Sequence, residues 1–307
     1  MSGHRTTARG VLLLLTLIAA FVAVGSAAPA PSREPIDPKP TGSAAKGIVF
    51  PVVGTAQYGD DFGDPRGQGR HEGNDIMAPR KALAVAAEAG RVKFWTTSSR
   101  AGCMLYLYGE SGTTYLYIHL NNDLGATNDN KGTCVPGVAY APGLKSGAKV
   151  AAGQHIAFVG DSGDANGIHP HLHFELHPKD GAAADPYPRL QAATHLLFAA
   201  RPGTTFTLAV TGTVVELGNG SVELRATTVR QWPGSRLIRH EGVTVTMGAA
   251  VTAETADAVT AAILAPPSPL TRGRTVTVYT APAKVTFAAQ TGESGVLGAA
   301  RLVFRTR

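Results

Sequence analysis

Cysteine is nearly absent from this chain: Cys103 and Cys134 are the only two among 307 residues. That excludes a zinc site built from cysteines alone and leaves a single pair to be bridged. Charge is sparse too. Asp, Glu, Lys and Arg make up 16% of the sequence against 44% hydrophobic residues, a balance that excludes a disordered chain and predicts a sizeable core. Convincing 3.6-residue periodicity is missing from residues 48–190, no repeat relates the two halves, and no basic and aromatic pattern marks a nucleic-acid surface, so nucleic acid is not an expected partner.

One long apolar run is present, at the start. MSGHRTTARG carries two arginines and no acid, VLLLLTLIAAFVAVG follows, and SAAPA offers small residues for a signal peptidase. Residues 1–30 read as an export signal, which places the protein outside the cytoplasm, in the cell wall, periplasm or medium. An uncleaved anchor is the rival reading, but the clean run is short for a span of about 20 residues. No cysteine near this point could carry a lipid. In an exported chain Cys103 and Cys134 are expected to form a disulfide, and closing their loop would stabilise the fold by about 3 to 4 kcal/mol.

Residues 31–47, PSREPIDPKPTGSAAKG, have no periodicity and read as a Pro-rich linker. Short strand-like runs between Gly, Asp and Asn clusters then fill residues 48–190: ALAVAAEAGRVKFW, CMLYLYGE, TTYLYIHL, KVAAGQHIAFVG and HLHFEL. A second set occupies 191–307 and includes TFTLAV, GVTVTM and RTVTVYT. In that set VVELGNGSVEL predicts a hairpin through its GNG turn, and ETADAVTAAILA is the one candidate helix. The expectation is an all-β protein: an antiparallel-sheet domain at 48–190, followed by a small β-barrel or β-sandwich at 191–307. Charge divides unevenly, with 12 Lys/Arg against 14 Asp/Glu in 48–190 and 11 against 6 in 191–307. A basic exported module suits an anionic wall polymer, or simply a soluble surface.

The residues that carry chemistry lie in the first set. In HPHLHFEL, alternation puts His171, His173 and Glu175 on one face of a strand and Leu172, Phe174 and Leu176 on the other. YLYIHL repeats the pattern, with Tyr115, Tyr117 and His119 expected on one face and Leu116, Ile118 and Leu120 on the other. GRHEGNDIMAP sets His71 and Asp75 four apart around a Gly-Asn pair, which suggests a turn running into a strand. A catalytic zinc ion needs three ligands from His, Asp or Glu and one open position. His71, Asp75 and one histidine of the HLH pair would make such a set, with the remaining histidines free to orient water or stabilise an oxyanion.

RHEGNDIMAP, YLYIHL and GDSGDANGIHPHLHFEL together resemble the signature blocks of the lysostaphin-type zinc endopeptidases, the beta-lytic metalloendopeptidase family, over roughly residues 48–190. That resemblance implies an antiparallel sheet with a groove walled by loops, one zinc ion, and hydrolysis of peptide bonds in peptidoglycan cross-links or stem peptides by a zinc-bound water. It implies His71, Asp75 and His173 as zinc ligands, and His119 and His171 as catalytic histidines. Peptidoglycan peptides are the implied partner. Two features depart from the common pattern: the additional His169 in GDANGIHPHLHFE, which reads as a rim residue because Pro170 breaks alternation, and the long polar loop NNDLGATNDNKGTC.

Other readings are blander or rival. His155 reads as a strand residue, while His177, His195 and His240 fall at element ends or in loops. Tyr115 and Tyr117 are ordinary strand tyrosines, and Glu175 is either an orienting partner for an imidazole or a strand-end acid. The alternative function is a non-catalytic domain of the same fold that binds wall or regulates a separate hydrolase. Two histidines and a carboxylate also fit an iron oxygenase triad, which the export signal disfavours.

Overall fold

Turn clusters of Gly, Asp and Asn cut the sequence into runs too short for stable helices, and their β-branched and aromatic content favours strands. The computed structural model describes residues 47–67, 69–218, 221–234, 236–254, 259–261, 270–293 and 296–304. The export signal and nearly all of the Pro-rich linker lie outside these. Nine strands build the two main sheets of the first part: β1 (Val52–Val53), β2 (Asn74–Met77), β3 (Leu83–Val85), β4 (Gly90–Ser98), β5 (Gly102–Gly109), β6 (Thr113–Leu120), β7 (Lys149–Val150), β8 (His155–Phe158) and β9 (His171–Pro178). A six-stranded antiparallel sheet has the order β2-β9-β6-β5-β4-β7, and a three-stranded one has β1-β3-β8. The helix α1 (Tyr187–Gln191) is a single turn.

The second part is a barrel. Its strands are β10 (Thr205–Gly218), β11 (Ser221–Trp232), β12 (Arg236–Glu254), β13 (Thr275–Thr280) and β14 (Leu297–Phe304). Pairing closes a ring β10-β11-β12-β14-β13-β10, antiparallel except between β12 and β14. A barrel has no edge to template aggregation, and of the two architectures expected here it is the one found. The β10–β11 hairpin turns where VVELGNGSVEL predicts it, with Gly218 opposite Ser221. The helix expected over ETADAVTAAILA is not found: Val259–Ala261 pair with β12 as a strand, because β-branched Val259 and Thr260 suit a pleated ladder, and 255–258 and 262–265 lie outside the described residues.

The small sheet is buried on both faces. Val52, Ala84 and Ile156 point into the core shared with Leu105, Tyr117 and Phe174 of the large sheet. Val53, Leu83, Val85 and Phe158 join the barrel interior in one apolar cluster, with Leu196–Ala199 of the connecting segment in the same core. This explains why VV and LAV read as unbroken apolar runs rather than alternating ones. The Thr55 amide donates to the Arg239 carbonyl at 2.9 Å, and a Cβ at Gly54 would sit 2.8 Å from that same carbonyl, so only glycine permits the approach.

The barrel is therefore packed into the fold of residues 48–190 rather than hung on it as a separate appendage. Exposing Val53, Leu83, Val85 and Phe158 would forfeit roughly 1.5 to 3 kcal/mol per side chain, which together rivals the total stability of about 5 to 15 kcal/mol for a typical domain. A chain ending near Leu190 is expected to aggregate or to lose its cooperative unfolding transition, measured by circular dichroism and sedimentation. A soluble fragment that melts cooperatively near the parent temperature would contradict this.

Candidate functional site

The residues singled out in the sequence meet on the face of the large sheet turned away from the core. His171 and His173 lie on β9 with Leu172, Phe174 and Leu176 buried behind them. Asp75 on β2 stands directly opposite His173. His71 comes from the preceding turn, where Gly73 permits close contact: a Cβ there would fall 2.8 Å from His173 Nε2 and 2.6 Å from the Phe174 carbonyl.

Three atoms converge. His71 Nε2 lies 3.1 Å from Asp75 Oδ1 and 2.9 Å from His173 Nδ1, and His173 Nδ1 lies 2.9 Å from Asp75 Oδ1. Hydrogen bonds on the outer sides set the tautomers. His71 Nδ1 donates to the Asp61 carbonyl at 2.8 Å, and His173 Nε2 donates to Glu175 Oε1 at 3.1 Å. Both inner nitrogens then present lone pairs to a carboxylate oxygen, an arrangement that repels itself unless a cation sits within it.

The protonation equilibria report the same demand. Burial works against the charge on His173, but Asp75 and Glu175 outweigh it and raise its pKa to about 9. Burial likewise opposes ionisation of Asp75, yet His173 and His71 hold its carboxyl far below the usual range. The carboxylates around His173 thus favour positive charge at the point where the three donor atoms meet. Donor atoms around a tetrahedral zinc with bonds of about 2.0 to 2.1 Å are about 3.3 Å apart, so the triangle needs to open by only a few tenths of an ångström to fit. Arg66 caps the far oxygen of Asp75 at 3.0 Å.

His119 and His171 flank the triangle. Their rings are 5.1 Å apart, and His119 is 6.0 Å from the ring of His173. His171 Nδ1 donates to the His169 carbonyl and His119 Nδ1 to the Ser162 carbonyl, each at 2.9 Å, so both Nε2 atoms are free to accept a proton. Burial lowers the His119 pKa to about 4, reinforced by the nearby His171. His169 is exposed, and it contributes a backbone carbonyl rather than its ring.

The alternation expected for YLYIHL is corrected here. Tyr115 and Tyr117 are fully buried on the core face, and Leu116 and Ile118 face the site. His119 reaches the site because the strand bulges there: its φ is +59°, and the pairing with β5 slips between Cys103 and Leu105. The extra residue turns the side chain that would have followed Tyr117 inward over to the other face. Histidine tolerates this left-handed conformation better than most residues.

A second arrangement escaped the sequence reading. Glu175 Oε2 accepts a 2.7 Å bond from His177 Nε2, and His177 Nδ1 donates to the Gly181 carbonyl at 2.9 Å. His177 is thus the fourth residue of the His171, His173, Glu175 face and not a strand-end bystander; its signal was the same period-2 spacing, continued by two residues.

The loops beside the site are cross-braced. Cys103 and Cys134 form the expected disulfide. Within the loop they close, Asp123 accepts from the amides of Asp129 and Asn130, and Arg80 binds Asp123 and, with two bonds, Asp161. Asp164, in the next loop, approaches His119 Nε2 at 3.7 Å.

No protein-family model matches the chain. An L-Ala–D-Glu endopeptidase of Bacillus subtilis is 29% identical over 154 residues, which cover 47% of this chain and 42% of that protein. The chain thus matches less than half the length of that curated relative. Among solved structures, the catalytic domain of the antimicrobial peptidase lysostaphin from Staphylococcus simulans is 26% identical, covering 44% of this chain and 92% of that one, with a TM-score of 0.35. A zinc containing peptidase from Vibrio cholerae is 23% identical over 44% of this chain and 38% of its own, with a TM-score of 0.32.

Proposed function

We propose, from a chain that is similar to the lysostaphin-type peptidoglycan endopeptidases, that the protein is an exported zinc metalloendopeptidase cutting peptide bonds in bacterial peptidoglycan cross-links or stem peptides. The observation that carries this is the convergence of His71 Nε2, Asp75 Oδ1 and His173 Nδ1 within 3.1 Å of one another, with two oriented histidines alongside. In this reading those three residues hold one zinc ion. When bound, zinc would supply Lewis acidity for activating water and polarising a carbonyl at neutral pH.

The rest is the work of the chain's own groups. His119, neutral at pH 7 and fixed by the Ser162 carbonyl, takes a proton at Nε2 and returns it to the departing amine. His171, fixed by the His169 carbonyl, shares the proton transfer at Nε2 and, once it carries that proton, donates to the carbonyl oxygen on which charge develops. The test is digestion of chemically defined peptidoglycan with mass analysis of the fragments: new amino termini in the peptide portion, lost in chelator and restored by zinc, are expected. Cleavage confined to sugar linkages would overturn the reading.

Glu175 and His177 serve the same site as positioning residues, holding the ring of His173 from behind. Partners of this kind are worth about 10- to 100-fold in metal affinity. His177→Leu is expected to weaken zinc by about tenfold or more in chelator competition, whereas His177→Gln, which keeps a donor, stays near the parent. Equal affinities in all three proteins would refute the role.

The barrel contributes basic surface. Arg225, Arg239 and Arg272 are exposed on it, and in this reading it attracts anionic wall polymers. Exposed charges are screened over about 8 Å at physiological ionic strength, so retention on isolated walls is expected to fall with added salt and with the pair Arg225→Glu and Arg272→Glu. Retention indifferent to both would remove the claim.

A further inference from the structure

The large sheet buries one face in the core and carries the His71–Asp75–His173 triangle on the other. On that face Met104, Leu116 and Ile118 form a separate buried apolar cluster, with the partly buried Trp95, Ala101 and Tyr106 packed against it. Register fixes the direction of this strip. Ile118 lies opposite His173 and Leu116 opposite Glu175, Tyr106 lies opposite Leu116, and Lys93 lies opposite Tyr106, with Trp95 opposite Met104. The strip therefore runs across the strands, away from the His71–Asp75–His173 triangle, and ends on an aromatic shelf.

The shelf has a defined geometry. Trp95 and Tyr106 meet edge to face with ring centres 6.3 Å apart, and both are half-buried. Three strand spacings of about 4.8 Å separate β9 from β4, so the shelf stands about 14 Å from the strand that carries His173. An extended peptide spans that distance in about four residues. Lys93 lies half-buried beside the shelf and makes no ion pair among the described residues. The acids at the near end of the strip are engaged, Asp75 by His71, His173 and Arg66, and Glu175 by His173 and His177. Lys93 shares the sheet face of Trp95 and Tyr106, and its positive charge beside two aromatic rings complements a ligand that brings an anion.

Resting on the peptidase reading above, we propose that Trp95, Tyr106 and Lys93 form a remote subsite that takes a carboxylate-bearing residue of the peptide substrate, about four residues from the bond cut. The intervening residues cross the sheet face between the triangle and the shelf, and Lys93 reads the charge.

The experiment uses paired peptides that differ only in whether the carboxylate at that position is free or amidated. The parent enzyme is expected to favour the free acid by about tenfold in kcat/KM, carried by KM, and Lys93→Met to collapse that preference to near unity with its zinc content unchanged. A preference that persists in Lys93→Met, or a parent with none, overturns the proposal. Binding is read independently in the zinc-stripped protein, where the free-acid peptide should perturb Trp95 fluorescence more than its amidated twin and Trp95→Phe should lose the signal. A response only to sugar-bearing fragments would mark the shelf as a glycan platform and defeat the carboxylate assignment. If the parent cuts no peptide yet the stripped protein still prefers the free acid, the peptidase reading fails while the subsite stands.

Discussion

His173→Ala is expected to purify without zinc and to show no hydrolysis above background. The substitution removes one of the three donors that converge among the described residues, and His71 with Asp75 cannot by themselves complete a four-coordinate site. It also strands Glu175, whose carboxylate then keeps His177 alone as a partner. Metal analysis and turnover on the same preparation decide the matter. A variant that binds zinc as tightly as the parent would show that the ligands lie elsewhere, and His171, whose Nε2 is 3.7 Å from Asp75 Oδ1, is the candidate to take over.

His171→Ala and His119→Ala are expected to separate metal binding from turnover. Each ring lies outside the triangle and is fixed by a backbone carbonyl, so zinc content and the folded state should survive in both. Loss of a positioned acid, base or oxyanion donor costs roughly a hundred- to ten-thousand-fold in rate. The pH dependence has a definite sign. With its pKa lowered to about 4, His119 is neutral throughout the physiological range and becomes cationic only as the pH falls toward that value. Acidification toward pH 4 is therefore expected to remove its capacity to accept a proton, a step absent from the residual activity of His119→Ala. Zinc loss in His171→Ala would make that residue a ligand, and near-normal turnover in either variant would end the proposed mechanism.

Much of this arrangement was legible in the sequence because period-2 alternation is strict in a regular strand. HLHFEL could place His171 and His173 together over an aliphatic face only one way, and it does so. The same rule failed at His119 for a local reason: alternation carries no warning of a bulge, and a single left-handed residue exchanges the faces on either side of it. The disulfide was legible because there was one pair to make. The shared core was not. Val52, Val53 and the run from Leu83 to Val85 announce burial on two sides, but an apolar run does not say what lies on either side, and the barrel that covers one of them is built from residues more than a hundred positions away.

That shared core also governs how cutting relates to holding. A wall-binding module on a flexible tether lets its enzyme sweep a volume set by linker length, so that one attachment point serves many bonds. Here Val53, Leu83, Val85 and Phe158 are buried against the barrel itself, and the Thr55 to Arg239 hydrogen bond fastens the joint. Site and barrel are thereby packed on one continuous core, like the two jaws of a caliper. If the barrel holds wall polymer as proposed above, the bonds within reach lie at one fixed offset and in one orientation, and the next cut requires letting go.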